Sequence, residues 1–158
     1  MAQIIVYTDG AARGNPGPGG YGVVLISGAH RKEIAEGFRN TTNNRMELLA
    51  VIIALESMKG TGHEITVYSD SKYVVDSVTK GWVFGWVKKG FKDKKNVDLW
   101  KRYLKVHPVN TVKFVWVKGH ANIPENERCD ELAVAASKQE NLPPDIGYEQ
   151  SLKKTGMF

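Results

Sequence analysis

Cysteine is nearly absent: Cys129 stands alone among 158 residues, so no intrachain disulfide can form. Four scattered histidines and one thiol offer no zinc-type ligand spacing. No Gly-Lys dipeptide occurs anywhere, which excludes a Walker-type phosphate loop. The longest apolar run, Leu48 to Leu55, is eight residues, far short of a membrane span. The opening Met1-Ala2-Gln3-Ile4-Ile5 lacks the basic head and apolar stretch of a signal peptide. These absences lead us to expect a cytoplasmic protein in a reducing setting, with no membrane partner.

What is present is globular. Hydrophobic residues at 42% and charged residues at 25% exclude a charge-dominated disordered chain, and the length suits one domain with a real core. Lys and Arg exceed Asp and Glu by 22 to 17, a net +5 whose location matters more than its size. Lys88, Lys89, Lys92, Lys94 and Lys95 face only Asp93, a local +4. Lysines this dense repel one another unless a polyanion neutralises them. Trp82, Phe84, Trp86 and Phe91 interleave with them, either packing the segment down or offering stacking surfaces for nucleic acid. The bland alternative is an amphipathic helix with a solvated face.

Hydrophobic patterning predicts a layered α/β fold. Gln3 to Thr8 reads as a central strand. Gly10 to Gly22, with six glycines and two prolines in thirteen residues, reads as a turn-rich loop. Tyr21 to Ile26 and Arg31 to Phe38 flank a Ser27-Gly28-Ala29 turn as a hairpin. Asn43 to Met58 carries two apolar stripes and reads as a largely buried helix. Glu64 to Ser69 is a strand; strand, helix and strand imply a right-handed crossover into a parallel pair. Short helices are expected at Ser71 to Thr79 and Asn96 to Val106, a strand at Val112 to Val117, and a last helix after Pro124. The chain after Asn141 reads as peripheral.

Asp9 and Asp70 each follow an apolar strand, and in a parallel pair those ends share one edge of the sheet. Glu47 lies in the first turn of the crossover helix, and Asp130 one turn into the last helix. Each has a local reading: Asp9-Gly10 as a turn, Asn44-x-x-Glu47 as a capping box, Asp70 as a helix start, Asp130 as a solvated helix residue. Jointly they suggest a convergence. Four carboxylates carry about −4, which would repel any phosphate unless about two divalent cations neutralise them. Oxygen-only ligands favour Mg²⁺ or Mn²⁺. His120, in the loop after the final strand, is placed to act as a proton shuttle or is an ordinary surface histidine. Gly17-Pro18-Gly19-Gly20-Tyr21-Gly22 matches the dinucleotide fingerprint literally, but a strand-like Val23-Val24-Leu25-Ile26 follows where a helix is required.

Taken together, Tyr7-Thr8-Asp9-Gly10, Gly14 to Gly22, Thr41 to Leu48, Tyr68-Ser69-Asp70-Ser71, Asn96-Val97-Asp98-Leu99-Trp100, Trp116 to Ala121 and Glu125 to Ala133 closely resemble bacterial ribonuclease H of type 1 from Gln3 to about Ala136. The resemblance implies a ribonuclease H-like fold, a five-stranded mixed sheet in order 3-2-1-4-5 with helices on both faces. It implies a catalytic domain over residues 1–140 with a basic protrusion at 81–95, and a peripheral tail at 141–158. The implied activity is endonucleolytic hydrolysis of the RNA strand of an RNA/DNA hybrid through two metal ions, leaving 5′-phosphate and 3′-hydroxyl ends. On matching positions, Asp9, Glu47, Asp70 and Asp130 would hold Mg²⁺ or Mn²⁺, and His120 would assist proton transfer or product release. Asn15, Asn43, Asn44 and Lys72 would contact the RNA strand. Thr42, Asn96, Trp82, Trp86, Lys88, Lys89 and Lys92 would contact the DNA strand or its phosphates. Lys72 stands where relatives often carry Gln, and Phe91 where Trp is usual.

Two other readings stay open: a hybrid-binding module of this fold that does not cut, and another nuclease or transposase of the fold acting on DNA. The complete acidic set disfavours the first, because a pure binder would gain affinity by losing that charge. A monomer is expected, since no heptad seam is evident.

Overall fold

The computed structural model describes residues 2–119 and 122–155, side chains at 154 and 155 excepted. Five strands, β1 (Gln3–Ala12), β2 (Gly17–Ser27), β3 (His30–Thr41), β4 (Glu64–Ser69) and β5 (Thr111–Trp116), form one mixed sheet in the order β3-β2-β1-β4-β5. β1, β2 and β3 run antiparallel, while β4 joins β1, and β5 joins β4, in parallel. The helices are α1 (Asn43–Glu56), α2 (Lys72–Thr79), α3 (Trp82–Lys88), α4 (Val97–Val106), α5 (Pro124–Ser137) and α6 (Ile146–Thr155), with one short 3₁₀ turn at His107–Val109. The expected class and strand order hold. No described helix is long and apolar enough to cross a membrane.

α1 is buried nearly all round, as its double apolar stripe predicts: Met46, Leu48, Leu49, Val51, Ile52 and Leu55 join Val6, Val23, Ile65 and Val67 in one core. Its first turn is capped by Thr42, whose Oγ1 accepts from Arg45 N at 3.2 Å. The expected cap at Asn44 is therefore corrected. The Thr hydroxyl already fills that role two residues earlier, which releases Glu47 from any capping-box duty.

The glycine-rich segment is also corrected. Its glycines are mostly strand residues, and only 13–16 separate β1 from β2. Alternate residues of β2 face opposite ways. Tyr21 and Val23 enter the core beside α1, whereas Gly20 and Gly22 lie under α5. A Cβ on Gly22 would collide with the Cys129 carbonyl, and one on Gly20 would stand 2.7 Å from the Ala133 carbonyl. Glycine here buys the close approach of a helix to a sheet rather than a turn. α5 is further tied down by the Arg128 pair with Glu33, Nε to Oε2 at 2.9 Å and Nη2 to Oε1 at 2.9 Å.

Two further differences concern the edges of the domain. Trp82–Lys88 forms a helix, so over these seven residues the helical alternative for the basic segment holds. The segment after Asn141 is anchored as well: Asp145 is buried and its carboxylate meets Arg45 Nε at 2.8 Å.

Gly22→Ala should therefore destabilise the fold by about 1–3 kcal/mol, the usual range for forcing a methyl group into a filled contact. The urea midpoint reports it; an unchanged midpoint would refute the packing of α5 on the strand.

Candidate active site

The register of β1 and β4 sets the site. Their parallel ladder ends at Tyr7 opposite Tyr68, whose rings stack at 4.9 Å, and Asp9 and Asp70 each follow that pair by two residues. The two carboxylates thus leave adjacent strands at the same level of the same edge. Asp9 does not end its strand, as the sequence suggested; β1 continues beside β2 to Ala12 opposite Gly19. The continuation removes the turn reading, because Asp9 is in extended backbone opposite Gly22. Asp70 is not a helix cap either, since Ser71 Oγ accepts from Val74 N at 3.2 Å and caps α2.

Glu47 is delivered from α1, and Gly10 is what lets it arrive. A Cβ on Gly10 would stand 2.5 Å from the Glu47 backbone nitrogen, so only glycine allows the strand and helix backbones to meet this closely. Asp9, Glu47 and Asp70 each place a carboxylate oxygen within 4.8 Å of the others. Asp130, half-buried on α5, stands outside that trio but close enough to act on Asp9 electrostatically. His120 lies outside the described residues.

Electrostatics show how unfavourable the trio is alone. Burial pushes the Asp9 carboxyl up to about 7, with the Asp70 charge next and Asp130 adding to it, against a 2.9 Å hydrogen bond from Gly10 N. Burial raises Glu47 well above the usual carboxylate range, and Asp9 and Asp70 push it the same way. Glu47 Oε1 and Asp70 Oδ1 are buried without a hydrogen-bond partner. Acceptor oxygens left unpaired at that depth are costly, and a hard cation is the partner that would satisfy them. The donor set fits a divalent metal: carboxylate oxygens only, converging from three elements.

Around this cluster the other expected residues fall into two groups. Asn15 Oδ1 accepts from Asn43 N at 2.9 Å, and Asn43 Oδ1 accepts from Ala12 N at 2.6 Å, while Asn44 is exposed. They line, with Thr42, Lys94, Lys95 and Asn96, a groove of about 880 Å³. Lys72 lies over the Trp116 ring at 4.7 Å, and Trp116 Nε1 donates to the Asp70 carbonyl at 3.2 Å. On the basic segment the aromatics divide their labour. Phe91 is buried and Trp86 packs edge-on against Trp100 at 5.8 Å, whereas Trp82 is 47% exposed. Lys88, Lys89 and Lys92 all point to solvent.

The RNase H family model matches residues 1–138. The chain belongs to the RNase H family. Ribonuclease H of Desulforamulus reducens is 56% identical over 151 residues, which is 92% of this chain and 94% of that one. The crystal structure of LC9-RNase H1, a type 1 RNase H, superposes with a TM-score of 0.77 at 32% identity, covering 87% of this chain and 72% of that one. LC11-RNase H1, solved in complex with an RNA/DNA hybrid, gives a TM-score of 0.58 at 30% identity over 84% of this chain and 95% of its own.

One functional neighbour escaped sequence reading: Arg45, 3% exposed, two residues from Glu47 and paired with Asp98 and Asp145. A lone cation in a helix read as largely buried was the clue available, because a buried charge requires partners.

The raised carboxyls make a stability prediction. Where the folded pKa exceeds the unfolded one, the native state holds the extra proton, so stability falls as pH rises from about 4 towards 7. In chelator the melting temperature should drop across that window, more steeply than in Asp9→Asn, and Mg²⁺ should raise it more at pH 8 than at pH 5. Equal slopes for wild type and Asp9→Asn would contradict the cluster electrostatics.

Proposed function

We propose that this ribonuclease H hydrolyses the RNA strand of RNA/DNA hybrids endonucleolytically, with two divalent cations, leaving 5′-phosphate and 3′-hydroxyl ends. The observation that carries the reading is the trio of Asp9, Glu47 and Asp70 oxygens within 4.8 Å, on a domain that also exposes a cluster of lysines. Asp9, Glu47, Asp70 and Asp130 would hold the ions, Mg²⁺ or Mn²⁺. Bound there, they would activate the attacking water and offset charge on the leaving 3′-oxygen.

The chain's own groups do the rest. Burial and mutual repulsion favour the protonated forms of Asp9 and Glu47, so a metal held there would compete with protons for these two carboxyls. Asn15 and Asn43 commit their carbonyl ends to backbone N–H groups, so their NH₂ ends are the ones that would meet a ribose 2′-hydroxyl or base edge. Asn44 and Lys72 would flank them on the RNA strand. Thr42 and Asn96 would seat a DNA-strand phosphate, and Trp82, Trp86, Lys88, Lys89 and Lys92 would grip the same strand farther along. His120 would move a proton at the leaving group or speed product release.

A non-cleaving hybrid binder is the reading to eliminate. Mg²⁺ should support cutting of labelled RNA annealed to DNA, but not of single-stranded RNA or duplex DNA. Chelator should abolish it, and Asp70→Asn should lower it by at least about a hundredfold. Wild-type cleavage by Asp70→Asn would remove the metal assignment, and tight binding without any cutting would leave the binding module.

A further inference from the structure

The Arg45 guanidinium has five N–H donors, and all five are engaged. Nε donates to Asp145 Oδ2 at 2.8 Å, and Nη2 to Asp145 Oδ1 at 3.0 Å and Asp98 Oδ2 at 2.7 Å. Nη1 donates to Asp98 Oδ1 at 2.8 Å and reaches Asn96 Oδ1 at 3.4 Å. One buried side chain of α1 thereby joins the start of α4 to the start of α6.

Asp145 does more than balance that charge. Thr41 Oγ1 donates to its Oδ2 at 2.7 Å, and its Oδ1 accepts from Tyr148 N at 3.3 Å in the first turn of α6. Gly147 rests on the pair: a Cβ there would collide with the Asp98 carboxylate and stand 2.9 Å from Arg45 Nη2. The far side of the same network is Asn96, in left-handed backbone at φ 62° with its Nδ2 donating to Tyr73 OH at 3.0 Å. Thr42, next to Thr41, and Asn96 form one side of the 880 Å³ groove, and Tyr148 and Gln150 of α6 line it too. The seat of the C-terminal helix and Asn96 are thus hydrogen-bonded to one guanidinium, and Thr42 Oγ1 accepts from the backbone N of the same Arg45 at 3.2 Å.

We infer that Asp145 is a positioning residue for hybrid binding: through Arg45 and Thr41 it fixes the Asn96 and Thr42 side of the groove, and the C-terminal helix belongs to the substrate-binding apparatus. The inference rests on the hybrid-cleaving function proposed above. Simple electrostatics makes the opposite prediction. Arg45 with two aspartates carries a net negative charge, so neutralising Asp145 should help a polyanion approach. Positioning predicts weaker binding, because both Asp145 oxygens act as acceptors and an Asn amide would set its NH₂ against a donor in either orientation.

Steady-state cleavage of a labelled hybrid, with fluorescence anisotropy of the same hybrid in chelator, separates these. Asp145→Asn should raise KM and Kd about tenfold, the loss of about one charge-assisted hydrogen bond, with kcat within about twofold. Gly147→Ala keeps every charge and favours the helix, and should raise both in the same direction by about threefold. It decides the matter if Asp145→Asn does not fold. Unchanged or lower KM and Kd, with only the melting temperature reduced, would make Asp145 a structural anchor and overturn the inference, as would a fall in kcat at constant KM. Wild-type protein that binds hybrid without cutting it would instead sink the cleavage reading, while the anisotropy still tests the positioning.

Discussion

Three carboxylates held within 4.8 Å at one edge of a sheet repel one another, and the rest of the structure serves to keep them there. The force that does so is packing. α1 places eight consecutive apolar residues, Leu48 to Leu55, immediately after Glu47, and all but Ile53 are buried at 6% exposure or less in the body of the core. Burial of side chains of that size contributes about 1.5–3 kcal/mol each, enough in sum to hold a helix that delivers a carboxyl into this cluster. The β1 and β4 register supplies the other two carboxylates, and the backbone contact at Gly10 closes the triangle. The cluster is thus an instance of strain at a functional site offset by a well-packed scaffold.

Legibility followed the kind of interaction involved. Strand β4 at Glu64–Ser69 was readable from its β-branched content, and the body of α1 from two apolar stripes that together leave an unbroken apolar run. The convergence of Asp9, Glu47 and Asp70 was readable from topology alone, since a right-handed crossover returns parallel strands to the same edge. The glycines at 20 and 22 were not. Glycine marks a turn by its conformational freedom and a helix contact by its missing Cβ, and composition does not distinguish the two until α5 is in place. The α1 cap stayed open for a related reason: Thr42, Asn43 and Asn44 can all cap, and only the observed bond to Arg45 N selects one.

Arg45 shows what lies beyond local pattern. Its partners are 53 and 100 residues away, and no local spacing links either aspartate to the arginine. Lysine could neutralise the same charge, but only a guanidinium offers a planar set of five donors able to meet two carboxylates side by side. The geometry also explains why the C-terminal segment is docked despite its modest apolar content, with Ile146 at 63% exposed and Leu152 at 45%. Its attachment is polar and specific: Asp145 on Arg45, and Arg39 on Glu149 with Nε to Oε2 at 2.9 Å.

Charge is distributed to suit a ligand that is itself a polyanion with one bond to be attacked. The exposed lysines at 88, 89, 92, 94 and 95 sit on a segment anchored by buried Phe91 and by Trp86 against Trp100. The anionic centre lies apart from them at the sheet edge. A backbone drawn in by the lysines would meet repulsion there unless cations had already occupied the carboxylates. On the proposed function, attraction and reaction are therefore separable: the protrusion would govern how long a strand stays, with the salt dependence that phosphate contacts carry, and the acidic trio would govern whether it is cut. Raised carboxyls at the trio sharpen that division, because the centre is reluctant to be fully charged until a metal makes the charge favourable.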